Sequence, residues 1–185
     1  FVTRDAAVEQ YLTETKDYIF STFWNKQTNT MRDAFTVDMK TVIDQDGGGS
    51  ELVAFLDQIN AYMLLSQPVL SDTGRQTEFL NDMQMLANAM KSNFYSNGIF
   101  WGQKNNIGKY GSWHTDFGHT LKSYWMLNEL DKRLPSHPYR DFVRENAPSM
   151  ITLAYDSQYG RWGKAMTSKT TASYGTDWWI YAEAD

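Results

Sequence analysis

The chain of 185 residues contains no cysteine, which excludes disulfide bonds, thiolate nucleophiles and thiolate zinc sites. Its apolar runs are short, as at residues 61–65, and none approaches the roughly 20 residues of a membrane span. Basic residues number 17 against 22 acidic ones and form no run, which argues against nucleic acid as the main partner. P-loop, GxGxxG and HExxH motifs are also absent. We therefore expect neither a nucleic-acid nor a membrane partner.

The composition is that of a globular protein, with 42% hydrophobic and 21% charged residues. At about 150 residues per domain, the length predicts a single domain over residues 1–185. The chain starts at Phe1 and stops directly after an aromatic-rich segment. We therefore expect both ends to be cut from a longer protein. The Gly-Gly-Gly-Ser stretch at residues 47–50 reads either as a natural loop or as an artificial linker.

Apolar residues recur at helical spacing over most of the chain. The first helix is predicted over residues 5–24, with Asp5 as its N-cap. The remaining helices are predicted over 50–70 with Ser50 as cap, 73–95, 116–134, 139–155 with a kink or break at Pro148, and from a cap at Thr176 or Asp177 onwards.

Short hairpins are predicted between these helices. The Asn97-Gly98 pair marks a turn, and residues 25–49 and 158–175 read as further hairpin regions. Residues 94–102 and 155–163 form a weak repeat, in which a helix is followed by a polar turn and a Gly-containing aromatic segment. Residues 23–26 start a degraded third copy. Helix pairs joined in this way stack side by side, which predicts an α/α toroid or solenoid rather than a bundle.

The most informative stretch is a Gly-rich loop that leads into a helix with His119 in its first turn. Lys122 and Ser123 share a helix face with His119. The positive end of a helix favours a neutral imidazole, which suits a general base. The alternative is that His119 donates to a loop carbonyl and Lys122 is a solvated charge. We read His137, between Ser136 and Pro138, as surface structure.

Aromatic residues beside a carboxylate form a second candidate group. Glu183 follows Trp179 by four residues and shares its helix face, whereas the adjacent Trp178 points elsewhere. An aromatic ring beside a carboxylate suits a sugar, because the ring stacks and the carboxylate accepts hydroxyl hydrogen bonds. The alternative is a core aromatic pair with Glu183 in a structural ion pair. Asn60 is a polar residue in an apolar helix, and it either binds substrate or joins helices. Aromatic loop residues either line a cleft or cap helix ends: Trp101, Tyr110, Trp113, Tyr159 and Trp162.

At these residues the sequence resembles the N-acylglucosamine 2-epimerase and cellobiose 2-epimerase superfamily. Its members carry a Gly-His pair opening an inner helix, with an acidic residue three positions later, and a Trp-Trp-x-x-Ala-Glu segment. Here the first motif reads Gly118-His119 with Lys122 at the acidic position, and the second runs from Trp178 to Glu183. A family Asn-x-His motif corresponds to Asn60-Ala61-Tyr62. The resemblance covers roughly residues 15–185.

The resemblance implies an all-α fold, the (α/α)6 toroid, here as a partial ring of antiparallel helix pairs with short β-hairpin loops. It implies an epimerase or isomerase that removes and returns a proton at C2 of a reducing sugar, without a metal or a cofactor. The residues that we assign to catalysis are His119, Lys122 and Glu183, and those that we assign to substrate binding are Asn60, Trp113, Trp178 and Trp179. The resemblance favours a cytoplasmic location and leaves the oligomeric state open.

Lys122 and Tyr62 depart from the family pattern, and chemistry with two bases needs a second group beside His119. Two alternative functions therefore stay open. One is a glycoside hydrolase or lyase on the same toroid, with Asp116 and Glu183 as its carboxylate pair. The other is a non-catalytic sugar-binding module that keeps the aromatic cleft.

Overall fold

The computed structural model describes residues 5–43, 51–175 and 177–184, without the side chains of residues 58 and 59. The predictions for Ser50, Thr176 and the Gly-Gly-Gly-Ser stretch lie outside these residues. The chain divides into two compact units between Ala89 and Met90. The expectation of one domain over the whole chain stays a prediction.

The N-terminal unit is built on two long helices, α1 (Ala6–Phe23) and α4 (Thr73–Phe94), of which α4 continues past Ala89. The side chain of Asp5 accepts a hydrogen bond from the Ala7 N–H and caps α1, as predicted. Between these helices come β1 (Trp24–Asn25), β2 (Thr30–Met31), α2 (Val53–Phe55), a π-helical segment (Leu56–Ala61), α3 (Tyr62–Ser66) and a 3-10 turn (Gln67–Val69).

The helix predicted over 50–70 is therefore one helical stretch with a change of winding. Helix α3 ends at Ser66 because Pro68 has no N–H to continue the α-helical ladder. In the hairpin region, Phe35 pairs with Val42 in an isolated antiparallel bridge, and Met39 takes a positive φ of 59° in the turn between them. Phe35, Val37 and Met39 alternate with polar residues, which favours a short strand or hairpin. Val37 is fully exposed, however, so this alternation does not mark a buried strand.

The C-terminal unit packs α5 (Phe117–Asp131) against α6 (Arg140–Ala154) and α7 (Trp178–Ala184). The remaining elements are β3 (Tyr95–Ser96), β4 (Ile99–Phe100), a 3-10 turn (Lys104–Asn106), β5 (Tyr155–Asp156), β6 (Arg161–Trp162), β7 (Ala165–Met166) and β8 (Ala172–Ser173). Helix α6 runs through Pro148 without a break. The loss of one backbone hydrogen bond is tolerated because Met150 and Ala154 are buried in the turn that follows.

The repeat noted in the sequence is a structural repeat. Helices α1, α4 and α6 each lead directly into an antiparallel hairpin, β1–β2, β3–β4 and β5–β6. In each case the carbonyl of the last helical residue accepts a hydrogen bond from the residue after the second strand: Phe23 from Arg32 at 2.8 Å, Phe94 from Trp101 at 2.8 Å, and Ala154 from Gly163 at 2.6 Å. The hairpin thus satisfies a carbonyl that a free helix end leaves open.

Asn97 and Gly98 form the two-residue loop of β3–β4, with φ angles of 52° and 84°. Positive φ at both positions is the geometry that an Asn-Gly pair favours in tight hairpins. The predicted turn at this position is confirmed.

A buried lysine organises the charges of the N-terminal unit. The Lys16 ammonium, on a side chain only 3% exposed, bonds to Asp17 at 2.9 Å, to Asp82 at 3.0 Å and to Glu78. Burial lowers the pKa of Lys16, but the hydrogen bonds with these carboxylates outweigh it and raise that pKa above its usual value. For Asp82, burial outweighs the attraction of Lys16 and raises the pKa. Lys16 therefore stays charged, and the three carboxylates compensate its buried ammonium.

Replacing Lys16 by methionine removes the cation that pairs with Asp82, whereas Asp17 and Glu78 still pair with Arg75. We expect K16M to lower the free energy of unfolding by about 1 kcal/mol at pH 7, because these carboxylates stay in partial contact with water, measured by urea denaturation. A carboxyl whose pKa is higher in the folded than in the unfolded state stabilises the fold as the pH falls. The deficit should therefore shrink at pH 5.

Lys40 provides the matched control. Its side chain is exposed and lies 4.0 Å from Asp38, so K40M should change the free energy of unfolding by less than about 0.5 kcal/mol. Equal losses in K16M and K40M would contradict the role given to the buried network.

Candidate functional site

The start of helix α5 is organised by one carboxylate, Asp116. Its Oδ1 accepts a hydrogen bond from the His119 backbone N–H at 2.9 Å, which makes Asp116 the N-cap of α5. Its Oδ2 lies 2.7 Å from Nδ1 of the His119 ring. We nominated Asp116 from the sequence only as a carboxylate for hydrolysis and missed this pairing. An Asp three residues before a His at a helix start is a spacing that predicts the helix cap, but not the contact with the ring.

The pairing sets the chemistry of the buried imidazole. A carboxylate at Nδ1 favours a proton on that nitrogen, so Nε2 is the nitrogen without a proton in the neutral ring. The sequence prediction relied on the helix N-terminus and the loop as surroundings of the ring. The structure adds Asp116 as its charged neighbour, which also stabilises an imidazolium when it forms.

The Trp-Trp segment packs against the same ring. Trp179 lies edge-on to His119, with ring centroids 4.8 Å apart and an interplanar angle of 63°. This approach depends on Gly118, because a Cβ built there would lie 2.4 Å from Cζ3 of Trp179. The Gly-His and Trp-Trp motifs therefore meet at the contact between α5 and α7. Trp178 is 81% exposed, whereas Trp179 packs against the imidazole, so the two adjacent tryptophans point in different directions.

Lys122 and Glu183, both assigned to catalysis, form an ion pair across the same two helices. The Lys122 ammonium lies 2.9 Å from Oε1 of Glu183, and both side chains are partly buried. The sequence allowed Glu183 either to bind a sugar or to form a structural ion pair, and the structure contains such an ion pair. The charge of Lys122 is therefore balanced within the C-terminal unit.

Trp113 reaches this site through a second histidine. Its ring lies 4.7 Å from that of His114, which in turn lies 5.2 Å from that of His119. The loop is held tightly, since a Cβ at Gly102 would lie 2.0 Å from the Trp113 carbonyl oxygen. Trp113 itself is 66% exposed. The sequence analysis missed His114, although a Trp-His pair in a Gly-rich loop directly before His119 was the available signal.

Lys164 joins the starts of the two site helices. Its carbonyl accepts the Phe117 N–H at 2.9 Å, at the first residue of α5. Its ammonium lies 2.8 Å from Asp177, the residue before α7. The hydrogen bond with Asp177 raises the pKa of Lys164. The sequence analysis missed this residue too, because nothing local indicates a contact with α5.

Asn60 and Tyr62 belong to the N-terminal unit. Asn60 is fully buried in the π-helical segment, a kind of segment that is frequent at functional sites. The Tyr62 hydroxyl donates to the Leu12 carbonyl of α1 at 2.9 Å, and burial raises the pKa of Tyr62. The hydroxyl of Tyr62 thus holds α3 to α1.

Within the described residues, no group of three His, Asp or Glu side chains is arranged to hold a metal ion. The helices that the structure describes include none long and apolar enough to cross a membrane.

Gly118 should be intolerant of a side chain because Trp179 occupies its Cβ space. We expect G118A to lose about 1 kcal/mol or more of unfolding free energy, since overpacking outweighs the gain in helix propensity. The tryptophan emission should shift as Trp179 moves. Gly74 in α4 is the control, because its Cβ would meet only the carboxylate end of Asp72 at 3.0 Å. G74A should be neutral or stabilising, and a G118A protein as stable as the wild type would disprove the packing argument.

Comparisons with known proteins give structural neighbours only. The sequence matches no family model and has no significant match among curated proteins. The fold is similar to that of a crystal structure of D-mannose isomerase, with a TM-score of 0.73 and 19% identity over 97% of this chain and 46% of that one. It is also similar to cellobiose 2-epimerase from Spirochaeta thermophila DSM 6192, with a TM-score of 0.74 and 16% identity over 97% of this chain and 46% of that one.

At these identities the similarity shows the fold. The neighbours are (α/α)6 toroids, and this chain is mostly helical with short antiparallel strand pairs, as predicted. The chain spans 46% of the length of each neighbour. The fold that the sequence resemblance implies is therefore confirmed.

Proposed function

We propose that the chain is part of a sugar isomerase or epimerase that moves a proton at C2 of a reducing sugar, with His119 as the acid–base residue. The observation that carries the proposal is the 2.7 Å contact between Asp116 and Nδ1 of His119. The fold supports it, because its neighbours are a mannose isomerase and a cellobiose epimerase. Since the chain spans 46% of each neighbour, the activity is proposed for the whole protein.

In the proposed reaction, Nε2 of His119 takes the proton from C2 of the open-chain sugar, beside the C1 carbonyl. The bonding electrons shift into an enediolate, and Asp116 stabilises the imidazolium formed at the same time. Isomerisation then moves the hydroxyl proton from O2 to O1 and returns the carbon-bound proton from the same nitrogen to C1, which gives the ketose. Return to the opposite face of C2 completes an epimerisation and requires a second proton donor. His119 therefore suffices for the proton transfers at carbon in isomerisation, which also needs a path for the proton between O2 and O1, whereas epimerisation requires a second group that acts at C2.

The remaining site residues would then hold the sugar. The exposed rings of Trp113 and Trp178 are suited to stacking on sugar faces, and Trp179 limits the motion of His119. The ion pair of Lys122 and Glu183 can donate to and accept from hydroxyl groups. Asn60 is proposed as a substrate ligand from the sequence alone.

Hydrolysis is less well supported by the geometry. A glycoside hydrolase needs a protonated carboxylic acid that is free to donate to the leaving group. Both candidate carboxylates are engaged, Asp116 by two N–H groups of His119 and Glu183 by the Lys122 ammonium.

The proposal predicts that His119 is indispensable for proton exchange at C2. In D2O, the full-length protein should exchange the C2 proton of at least one sugar among glucose, mannose, fructose, cellobiose and N-acetylglucosamine, followed by proton NMR. H119Q should reduce the rate by at least about 100-fold. The control is H137N, because His137 sits at φ 46°, a conformation that asparagine tolerates. Exchange by H119Q at the wild-type rate would refute the assignment, and sugar binding without any exchange would favour a binding module.

Asp116 is predicted to act as a positioning residue. D116N keeps an oxygen for the helix cap but replaces the carboxylate at Nδ1 by an amide, so the favoured tautomer is lost. We expect kcat to fall by about 10- to 100-fold with little change in KM, and the pH profile of kcat to move. D141N is the control, since Asp141 is exposed on α6 and pairs with Arg144. A D116N enzyme with wild-type kcat and pH profile would show that Asp116 only caps the helix.

A further inference from the structure

An arginine on the β5–β6 hairpin is enclosed by two exposed tyrosines. The guanidinium carbon of Arg161 lies 4.8 Å from the ring centroid of Tyr159 and 4.8 Å from that of Tyr174. Tyr159 precedes β6 in the turn, and Tyr174 directly follows β8. Both phenol rings are exposed. Cation–π contacts with both rings restrict the guanidinium.

Asp156 holds the same arginine from a third side. It pairs with Arg161 across the hairpin, and its Oδ2 accepts a hydrogen bond from Nε at 3.2 Å. Its Oδ1 accepts the Gln158 N–H at 3.2 Å and so supports the turn. Gly160 completes this turn at φ 60°. We call Asp156, Tyr159, Arg161 and Tyr174 the arginine clamp.

The clamp leaves one edge of the guanidinium available. Nη1 and Nη2 donate no hydrogen bond to any residue that the structure describes. The Arg161 side chain is 43% exposed, so this edge is accessible to a ligand. That edge carries parallel N–H groups that match the two oxygens of a carboxylate or of a phosphate. Because the clamp already orients the guanidinium, Arg161 loses less conformational entropy when a ligand binds, which strengthens binding.

The exposed rings add a second recognition element. Tyrosine rings stack on the apolar faces of sugars, while their hydroxyl groups bond to sugar hydroxyls. The overall charge of −5 disfavours non-specific attraction of anions. A ligand with an oxyanion on a sugar ring therefore matches what the clamp offers.

The clamp is attached to the helix that carries His119. Gly163, directly after β6, packs so closely on Phe117 that a Cβ would lie 2.9 Å from its ring. Phe117 is the first residue of α5. The hairpin therefore has a fixed position next to the start of α5.

We propose that the arginine clamp is a binding site for an anionic sugar, with the oxyanion on Nη1 and Nη2 of Arg161 and the ring against the tyrosines. The site does not depend on the proposed reaction. It is tested with glycosides, which cannot open to a reducing sugar and so cannot be substrates of the proposed isomerase. Binding at the clamp is therefore measured independently of the proposed reaction.

The experiment is a protein-observed NMR titration of the full-length protein at about 0.15 M ionic strength, where weak surface attraction is screened. Methyl β-D-glucuronoside carries a carboxylate on the sugar, and methyl glucoside 6-phosphate carries a phosphate. Methyl β-D-glucoside is the neutral reference. We expect saturable shifts at the clamp with one or both anionic probes and at least tenfold weaker binding of the neutral one.

Variants assign the binding to the clamp. R161Q and R161K should each raise the Kd at least tenfold, because lysine lacks the paired donors and the planar group. R144Q is the control, since Arg144 is an exposed arginine of the same unit, and it should bind as the wild type does. Y159A should weaken binding of the anionic sugar but not that of acetate.

Any of three results would overturn the proposal. The first is the absence of saturable binding with both anionic probes. The second is equal affinity in the wild type and in folded R161K, and the third is an equal loss of affinity in R161Q and R144Q. Circular dichroism of each variant confirms that the comparison is made between folded proteins.

Discussion

The carboxylate of Asp116 connects the fold to the candidate site, because its two oxygens have different partners. Oδ1 satisfies a backbone N–H at the start of α5, and Oδ2 holds the imidazole of His119. The interaction that begins the helix therefore also orients the ring. A helix start is well suited to this task, since its first N–H groups need acceptors in any case. The orientation of His119 thus follows from the requirements of folding.

Close contact between α5 and α7 supplies the rest of the site. Gly118 offers no side chain, so Trp179 approaches the helix and packs against His119. The ion pair of Lys122 and Glu183 joins the same helices further along. An ion pair of this kind compensates two charges that partial burial would otherwise make unfavourable. Two motifs about 60 residues apart in the sequence therefore pack together against the imidazole of His119.

Much of the secondary structure follows from local rules. Asp5 and Asp116 start helices because an aspartate side chain accepts N–H groups that a helix start leaves open. Asn97-Gly98 closes a hairpin because both residues tolerate positive φ. Local rules do not reveal the π-helical winding around Asn60 or the continuity of α6 through Pro148. Both depend on which side chains the surrounding core buries, and that information is not local.

The sequence by itself determined the helices, the hairpins between them and the types of residue that could carry chemistry. Periodicity, caps and turns act within a few residues, so they are readable along the chain. Only the tertiary structure decided the partners: Asp116 for His119, Glu183 for Lys122 and two tyrosines for Arg161. Asp116 is only three residues from His119, but its carboxylate contacts the ring only when the first turn of α5 is folded. Partner choice depends on distances and burial in the folded chain, which sequence spacing alone does not specify.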